Sequence, residues 1–321
     1  MKYLAHRVFM CLALSVASLA HAASWPSKPI NLVVAFAPGG NTDMVARILG
    51  EGLAKELGQS VVVINKPGAT GLIGTNYVAD ATPDGYTYLV NVTGLVISPH
   101  VSASVPEDLP MRLAPVSQIS AIPKALVVNA DLPVNTFEEL LAYSKKKPGG
   151  LSYGSSGIGS GNHLTGELVA MLTKQPMVHV TYSGSMPALM DLLGGRIDIV
   201  FDDLPVVLPF IKEGRLKALL TLSKARNPEL PDVPSVGELG MDDLIIEPWN
   251  GVMAPKGVPP EIIQAMDTAI RKVVAGEQYQ AQMKSKGLMA TYRNAQDYGE
   301  FIAAEYQRWG DVVKKAGIPR Q

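Results

Sequence analysis

The sequence predicts an α/β protein made of two sheets, each mostly parallel and flanked by helices. Three observations carry that expectation. Short apolar, β-branched runs alternate with glycine-rich turns and amphipathic helices along nearly the whole chain. Breaks near Ser120 to Pro123 and near Trp249 divide this alternation into two units. The chain has 321 residues, enough for two domains of about 150 residues each.

At the N-terminus, Lys2, His6 and Arg7 precede an apolar run over residues 8–20, and Ala20-His21-Ala22 offers small residues where a signal peptidase reads them. A membrane anchor needs about 20 apolar residues. The expected reading of residues 1–22 is therefore a cleavable secretory signal, cut after Ala22, with a periplasmic mature chain. Cys11 is the sole cysteine and lies inside this segment. The mature chain then holds no thiol, disulfide or cysteine-based metal site, which suits an oxidising compartment. The full chain carries 28 basic and 29 acidic residues. That balance argues against a nucleic-acid partner, which needs a basic face. Beyond the signal no apolar run is long enough to span a bilayer. Aromatics make up 6% of the chain, too few for stacking platforms. No cofactor and no metal are expected, and the protein is expected to be a monomer.

Residues 30–36 form a nearly continuous apolar run, the pattern of a buried parallel strand. Ala37-Pro38-Gly39-Gly40 breaks it. Asn41, Thr42 and Asp43 can cap the helix that follows, in which Val45, Ile48, Leu49 and Leu53 fall at helical spacing up to a stop at Gly58. Residues 61–64 are a second strand, 66–71 its turn, 72–81 a helix and 86–90 a third strand. Val127-Val128 lies in a strand, and Thr136 with Glu139 gives the capping-box pattern of a helix start. Residues 151–153 are a strand before a Gly/Ser turn at 154–161, and the next helix carries His163, Leu164, Glu167, Leu168 and Met171. Residues 178–181 are a strand, 182–185 its turn, and Pro187 sits in the first turn of a helix, where a missing N–H costs nothing. Residues 197–201 are a strand ending in Asp202-Asp203. The chain crosses back at 247–251, a helix runs from Pro259-Pro260 to about residue 275, and a last helix spans about 295–316.

Four turns share one design: Gly39-Gly40, 68–71, 155–161 and 182–185. Each follows the C-terminal end of a strand and opens a helix, the edge where open α/β sheets bind ligands. The first helical N–H groups lack internal partners and carry partial positive charge. Several such starts aimed at one cleft would hold a carboxylate without Arg or Lys. Taken singly, each is equally an ordinary βα turn with an ordinary cap. None matches a nucleotide signature: Gly157-Ile158-Gly159-Ser160-Gly161 is not G-x-G-x-x-G, and no Walker motif occurs.

The segments resemble the solute receptors of tripartite tricarboxylate transporters, the Bug receptor family, over nearly the whole mature chain. The resemblance rests on Trp25-Pro26-Ser27-Lys28-Pro29-Ile30, on Phe36-Ala37-Pro38-Gly39-Gly40-Asn41-Thr42-Asp43 with Arg47, and on Asn65-Lys66-Pro67-Gly68-Ala69-Thr70-Gly71. Tyr153-Gly154-Ser155-Ser156-Gly157-Ile158-Gly159-Ser160 with His163, Leu164 and Glu167 adds a fourth segment. Tyr182-Ser183-Gly184-Ser185-Met186-Pro187-Ala188 and Trp249-Asn250-Gly251-Val252-Met253-Ala254-Pro255 complete it in order. The resemblance implies a two-lobe, type II periplasmic-binding-protein fold closing on a small carboxylate that is passed to transporter membrane subunits. The lobes would be 23–122 with 248–321, and 123–247. Carried over, the ligand-binding residues are Gly39, Gly40, Asn41 and Thr42; Ala69 and Gly71; Ser155, Ser156 and His163; and Tyr182 and Ser185; Phe36 and Asp202 join them as candidates read from the sequence. Ser183 stands where the family usually has a basic or bulkier residue.

Other readings stay open at this point. Asp43 and Arg47, at i and i+4, fit a helix-surface pair. Asp202 fits a strand-end cap as well as a ligand contact, and His163 can cap or pack. Ser156, His163 and Asp202 supply the residue types of a hydrolase triad. However, 154–158 misses G-x-S-x-G and no H-E-x-x-H occurs, so no enzyme is expected. A receptor that presents its ligand to a signalling partner is the other alternative.

Overall fold

The computed structural model describes residues 25–320; the expected signal segment lies outside them. In chain order the strands and helices are β1 (Ile30–Val34), α1 (Asn41–Leu57), β2 (Val61–Asn65), α2 (Leu72–Ala79), β3 (Thr87–Val92), α3 (Gly94–Val101), β4 (Leu113–Ala121) and β5 (Lys124–Asn129). There follow α4 (Phe137–Lys146), β6 (Leu151–Ser155), α5 (Gly161–Thr173), β7 (Met177–Thr181), α6 (Ser185–Leu193), β8 (Ile199–Asp203), α7 (Leu204–Lys212) and β9 (Leu216–Thr221). The chain ends with β10 (Trp249–Pro255), α8 (Pro260–Ala275), α9 (Glu277–Ser285), β11 (Met289–Arg293) and α10 (Ala295–Lys315). Among the described residues no helix is long and apolar enough to cross a membrane.

Two sheets result. One runs β11-β4-β10-β3-β1-β2 and the other β7-β6-β8-β5-β9. Both are mixed rather than mostly parallel. β1 is parallel to β2 and β3, but β10 is antiparallel to β3 and β4, and β11 to β4. β6 is parallel to β7 and β8, while β5 is antiparallel to β8 and β9. The βαβ units supply the parallel pairs; the strands leading into and out of each crossing supply the antiparallel ones. β4 and β10 escaped the periodicity because polar residues interrupt them. Ser117, Gln118, Ser120 and Asn250 are all buried, at 1% exposure or less. Each has a partner: Ser117 donates to Asp267 at 2.6 Å, Gln118 donates to the Ser120 carbonyl, and Ser120 donates to Asn250 at 2.9 Å. Buried polar groups satisfied in this way are tolerated inside a sheet.

The continuous apolar strands are explained by burial on both faces. In β1, Ile30, Leu32 and Val34 enter one core while Val33 enters another. In β5, Ala125 and Val127 face one core and Leu126 and Val128 the other. One of these cores runs through both sheets, joining Val33 and Leu89 to Leu126, Tyr153 and Phe201 by way of Trp249, Tyr298 and Trp309. The connecting segments lie side by side at the waist. The Ile122 N–H donates to the Pro248 carbonyl at 2.6 Å, and the Ile246 N–H to Leu222 at 2.8 Å. Helix α10 braces the waist. Its Tyr298, Ile302, Trp309 and Val313 are buried at helical spacing, and Arg308 donates to the carbonyls of Asp243 and Ile245.

Gly251 is where α10 meets β10: a Cβ there would overlap the buried Tyr298 hydroxyl, which donates to Asn91 at 3.0 Å. Gly251→Ala should therefore destabilise the protein by about 2–4 kcal/mol, from overpacking and loss of that hydrogen bond. An unchanged urea midpoint would show that the contact is slack.

Candidate functional site

The first two turns form one unit at the ends of β1 and β2. Helix α1 starts on Gly40, which supplies no side-chain cap. Asp43, in the first helical turn, is 3% exposed and organises the loop. It accepts from the Gly39 N–H at 3.0 Å, from Arg47 at 2.9 Å through both carboxylate oxygens, and from Asn65 at 2.9 Å. Asn65 also donates to the Phe36 carbonyl at 3.1 Å, tying β2 to the first loop. Arg47's guanidinium holds the Asp43 carboxyl down at about 2 against the cost of burial, with Gly39 and Asn65 adding to the effect. This brace therefore survives down to strongly acid pH. The Gly39 N–H is consumed by the brace, so Gly39 offers a positive φ of 88° to the turn rather than a free donor. The second turn is compact: Ala69, Thr70 and Gly71 all have positive φ, and Gly71 opens α2 without a side-chain cap. A Cβ on Gly71 would sit 3.4 Å from the Phe36 ring. Beneath lies a small cavity of about 30 Å³, reached by Phe36, Gly71 and Asn91.

The third and fourth turns and Asp202 form a second unit, at the ends of β6, β7 and β8. The Tyr182 N–H donates to the Ser155 carbonyl at 3.0 Å. Ser155 is buried; its hydroxyl lies 2.6 Å from His179 Nε2 and accepts from the Gly157 N–H at 3.1 Å. His163 Nδ1 accepts from the Gly159 N–H at 3.0 Å, and its ring stacks on His179 with centroids 4.0 Å apart. Tyr153 also stacks on His179, with centroids 5.0 Å apart, and donates to Glu167 at 2.5 Å. Burial, and then the His163 imidazole, push His179 down to about 4, and burial also lowers His163. The loop is thus built on two neutral, stacked imidazoles. Helix α5 is capped by Ser160, whereas α6 begins on Gly184 with no side-chain cap. Ser185 and Asn162 both donate to Asp202 Oδ1, at 3.3 and 3.1 Å. Asp202 is 2% exposed, and burial raises its carboxyl above the ordinary range. Lys124, also 2% exposed, donates to Asn162 Oδ1 at 2.6 Å and pairs with Asp203 at 3.0 Å.

Against this geometry stand the comparisons with known proteins. The profile of the tripartite tricarboxylate transporter family receptor matches residues 45–318. The chain belongs to that receptor family. It is 36% identical over 316 residues to BugT of Bordetella pertussis, covering 97% of this chain and 95% of that one. Its structure resembles a TctC solute-binding protein from Polaromonas with TM-score 0.81 and 31% identity, covering 91% of this chain and all of that one. It also resembles a Rhodopseudomonas palustris protein solved with adipate, with TM-score 0.75 and 33% identity, covering 92% of this chain and all of that one.

The protein is therefore a Bug-type solute-binding receptor with an α/β two-lobe fold, and not an enzyme. His163 Nδ1 accepts from the Gly159 N–H, and Asp202 accepts from Asn162 and Ser185. Among the described residues no cluster could hold a metal ion. Of the sequence-expected residues, Phe36, Gly39, Gly40, Asn41, Thr42, Ala69 and Gly71 gather in the first unit. Ser155, Ser156, His163, Tyr182, Ser185 and Asp202 gather in the second. The Tyr182 hydroxyl is spent on Asp191 at 2.8 Å while its ring packs over Gly154. Asp43 is a buried loop brace rather than a surface pair. Sequence reasoning missed Lys124, Asn162 and His179. A lysine opening the otherwise apolar run 124–128 was the available signal for the first; a buried Lys needs a designed partner.

Because His179 titrates below its unfolded value near 6.5, the unfolded chain binds the extra proton first as pH falls. The loop's contribution to stability is full above about 6.5 and shrinks toward pH 4, by roughly 1–2 kcal/mol for this half-buried ring. His179→Gln, which keeps a group for Ser155, should flatten the fall in melting temperature between pH 7 and 4.5. An identical slope in the variant would place the acid sensitivity elsewhere.

Proposed function

We propose that this receptor works in the periplasm, captures a small carboxylate between its two lobes, and hands it to the membrane subunits of a tripartite tricarboxylate-type transporter. The observation that carries this is that α1, α2 and α6, three of the four helices opening at the expected ligand turns, begin on glycine without a side-chain cap. In α2 the Leu72 N–H donates to the Ala69 carbonyl; the starts of α1 and α6, with no side-chain cap, keep their partial charge for an anion. Each helix start contributes about 0.3–2 kcal/mol, and each charge-assisted hydrogen bond about 1.5–3 kcal/mol. Three or four such contacts suffice for micromolar affinity, about −8 kcal/mol, after ordering costs. The adipate-bound relative supports a carboxylate as the ligand.

In this reading residues 23–122 with 248–321 form one body and 123–247 the other, and the paired segments at the waist form the hinge. Thr42, at the first ligand turn, lies 3.5 Å from the Asn250 amide of β10, and Asn250 accepts from Ser120 of β4. A ligand ordering the first turn would thus bear on both crossing strands. The layout of residues 1–22 supports export, and family membership supports delivery to a transporter.

A screen of mono-, di- and tricarboxylates, acidic amino acids and aromatic acids tests the reading. One class should raise the melting temperature of the purified mature chain by about 5 °C at a hundredfold excess over Kd, the effect of about 2.7 kcal/mol of linkage. Flat melting curves across all acids would remove the carboxylate from the proposal.

A further inference from the structure

Asp202 is built into the second unit with one oxygen left over. Oδ1 takes three donors: the Asp203 N–H at 2.9 Å, Asn162 Nδ2 at 3.1 Å and the Ser185 hydroxyl at 3.3 Å. Oδ2 is fully buried and has no hydrogen-bond partner among the described residues. The nearby ammonium of Lys124 does not serve it, since that group bonds Asn162 Oδ1 and Asp203. The same contact fixes the Asn162 amide with its oxygen toward Lys124 and its NH₂ toward Asp202. A buried carboxylate oxygen without a donor is costly. The cluster of Lys124, Asp202 and Asp203 also carries one more negative than positive charge. It lies between the start of α5 and the uncapped start of α6, where the third and fourth turns meet.

We propose that Asp202 Oδ2 accepts a hydrogen bond from a donor on the ligand itself, an ammonium or hydroxyl group close to its carboxylate. The receptor then takes amino or hydroxy acids ahead of unsubstituted acids of the same skeleton. Ammonium ranks first, because it also balances the cluster's charge; hydroxyl supplies the hydrogen bond alone. Uncapped helix starts hold the acid and Asp202 reads the substituent beside it. The inference rests on the carboxylate reading above. Were Asp202 protonated and donating instead, the preference would run the other way, toward the plain acid.

The test is calorimetry on the full mature chain at pH 7.5 with three matched series: aspartate, malate and succinate; glutamate, 2-hydroxyglutarate and glutarate; phenylalanine, phenyllactate and 3-phenylpropionate. In the series that binds, the amino acid should bind at least about tenfold tighter than the unsubstituted acid, with the hydroxy acid between. In Asp202→Asn an amide oxygen can keep the three donors while NH₂ replaces Oδ2, so the gap should fall below about threefold. Wild-type protein preferring the unsubstituted acid overturns the inference even if the variant does not fold. A folded variant that keeps the gap overturns it too. Acids that bind without preference sink this inference alone, whereas a wild-type protein that binds none of the nine sinks it together with the carboxylate reading.

Discussion

The chain passes between its two sheets twice, and both passages lie side by side, joined by the Ile122-to-Pro248 hydrogen bond. Much of the structure follows from that. Strand β10 runs antiparallel to both neighbours, and β5, which enters the other sheet, runs antiparallel to β8 and β9, so each sheet is mixed. The returning strand β10 lies between β3 and β4 in the middle of its sheet, and its buried Asn250 and Gly251 answer to Thr42, Ser120 and Tyr298. The core that threads the waist makes the two halves share apolar contacts even though each has its own sheet.

The turns of the candidate site solve a different problem. A loop that offers its backbone to a ligand cannot also spend that backbone on itself, so something else must hold it. In the first half a buried carboxylate does this, with Arg47 and Asn65 completing its coordination. In the second half two stacked imidazoles and a serine hydroxyl do it. Both devices use side chains to fix main chain, and α1 and α6 are left without a side-chain cap.

Much of this was legible in the residues, and the reasons for the rest are specific. The βαβ units announced themselves through runs such as 30–36 and through the helix stop at Gly58, because strands buried on both faces and a helix ended by glycine leave local marks. The capping box at Thr136 and Glu139 was half right. The Glu139 N–H does donate to Thr136, but its carboxylate accepts from Asn135 rather than from the cap residue. β4 and β10 were not legible as strands, because their buried polar residues find partners more than a hundred positions away. The turns could be picked out as helix-opening loops, yet their supports could not. Lys124 meets Asn162 and Asp203 only after folding, and His179 meets Ser155 across a parallel pair of strands and His163 from helix α5.

The Asp43 brace has a consequence for how such receptors diversify. Every contact that holds the first turn in shape lies within the chain itself, from Asp43 to Arg47, Asn65 and the Gly39 amide. Its shape is therefore inherited independently of whatever molecule is bound. Mutations elsewhere can alter the surroundings of this turn without dismantling it, so a lineage can vary the rest of the molecule while this loop keeps its shape.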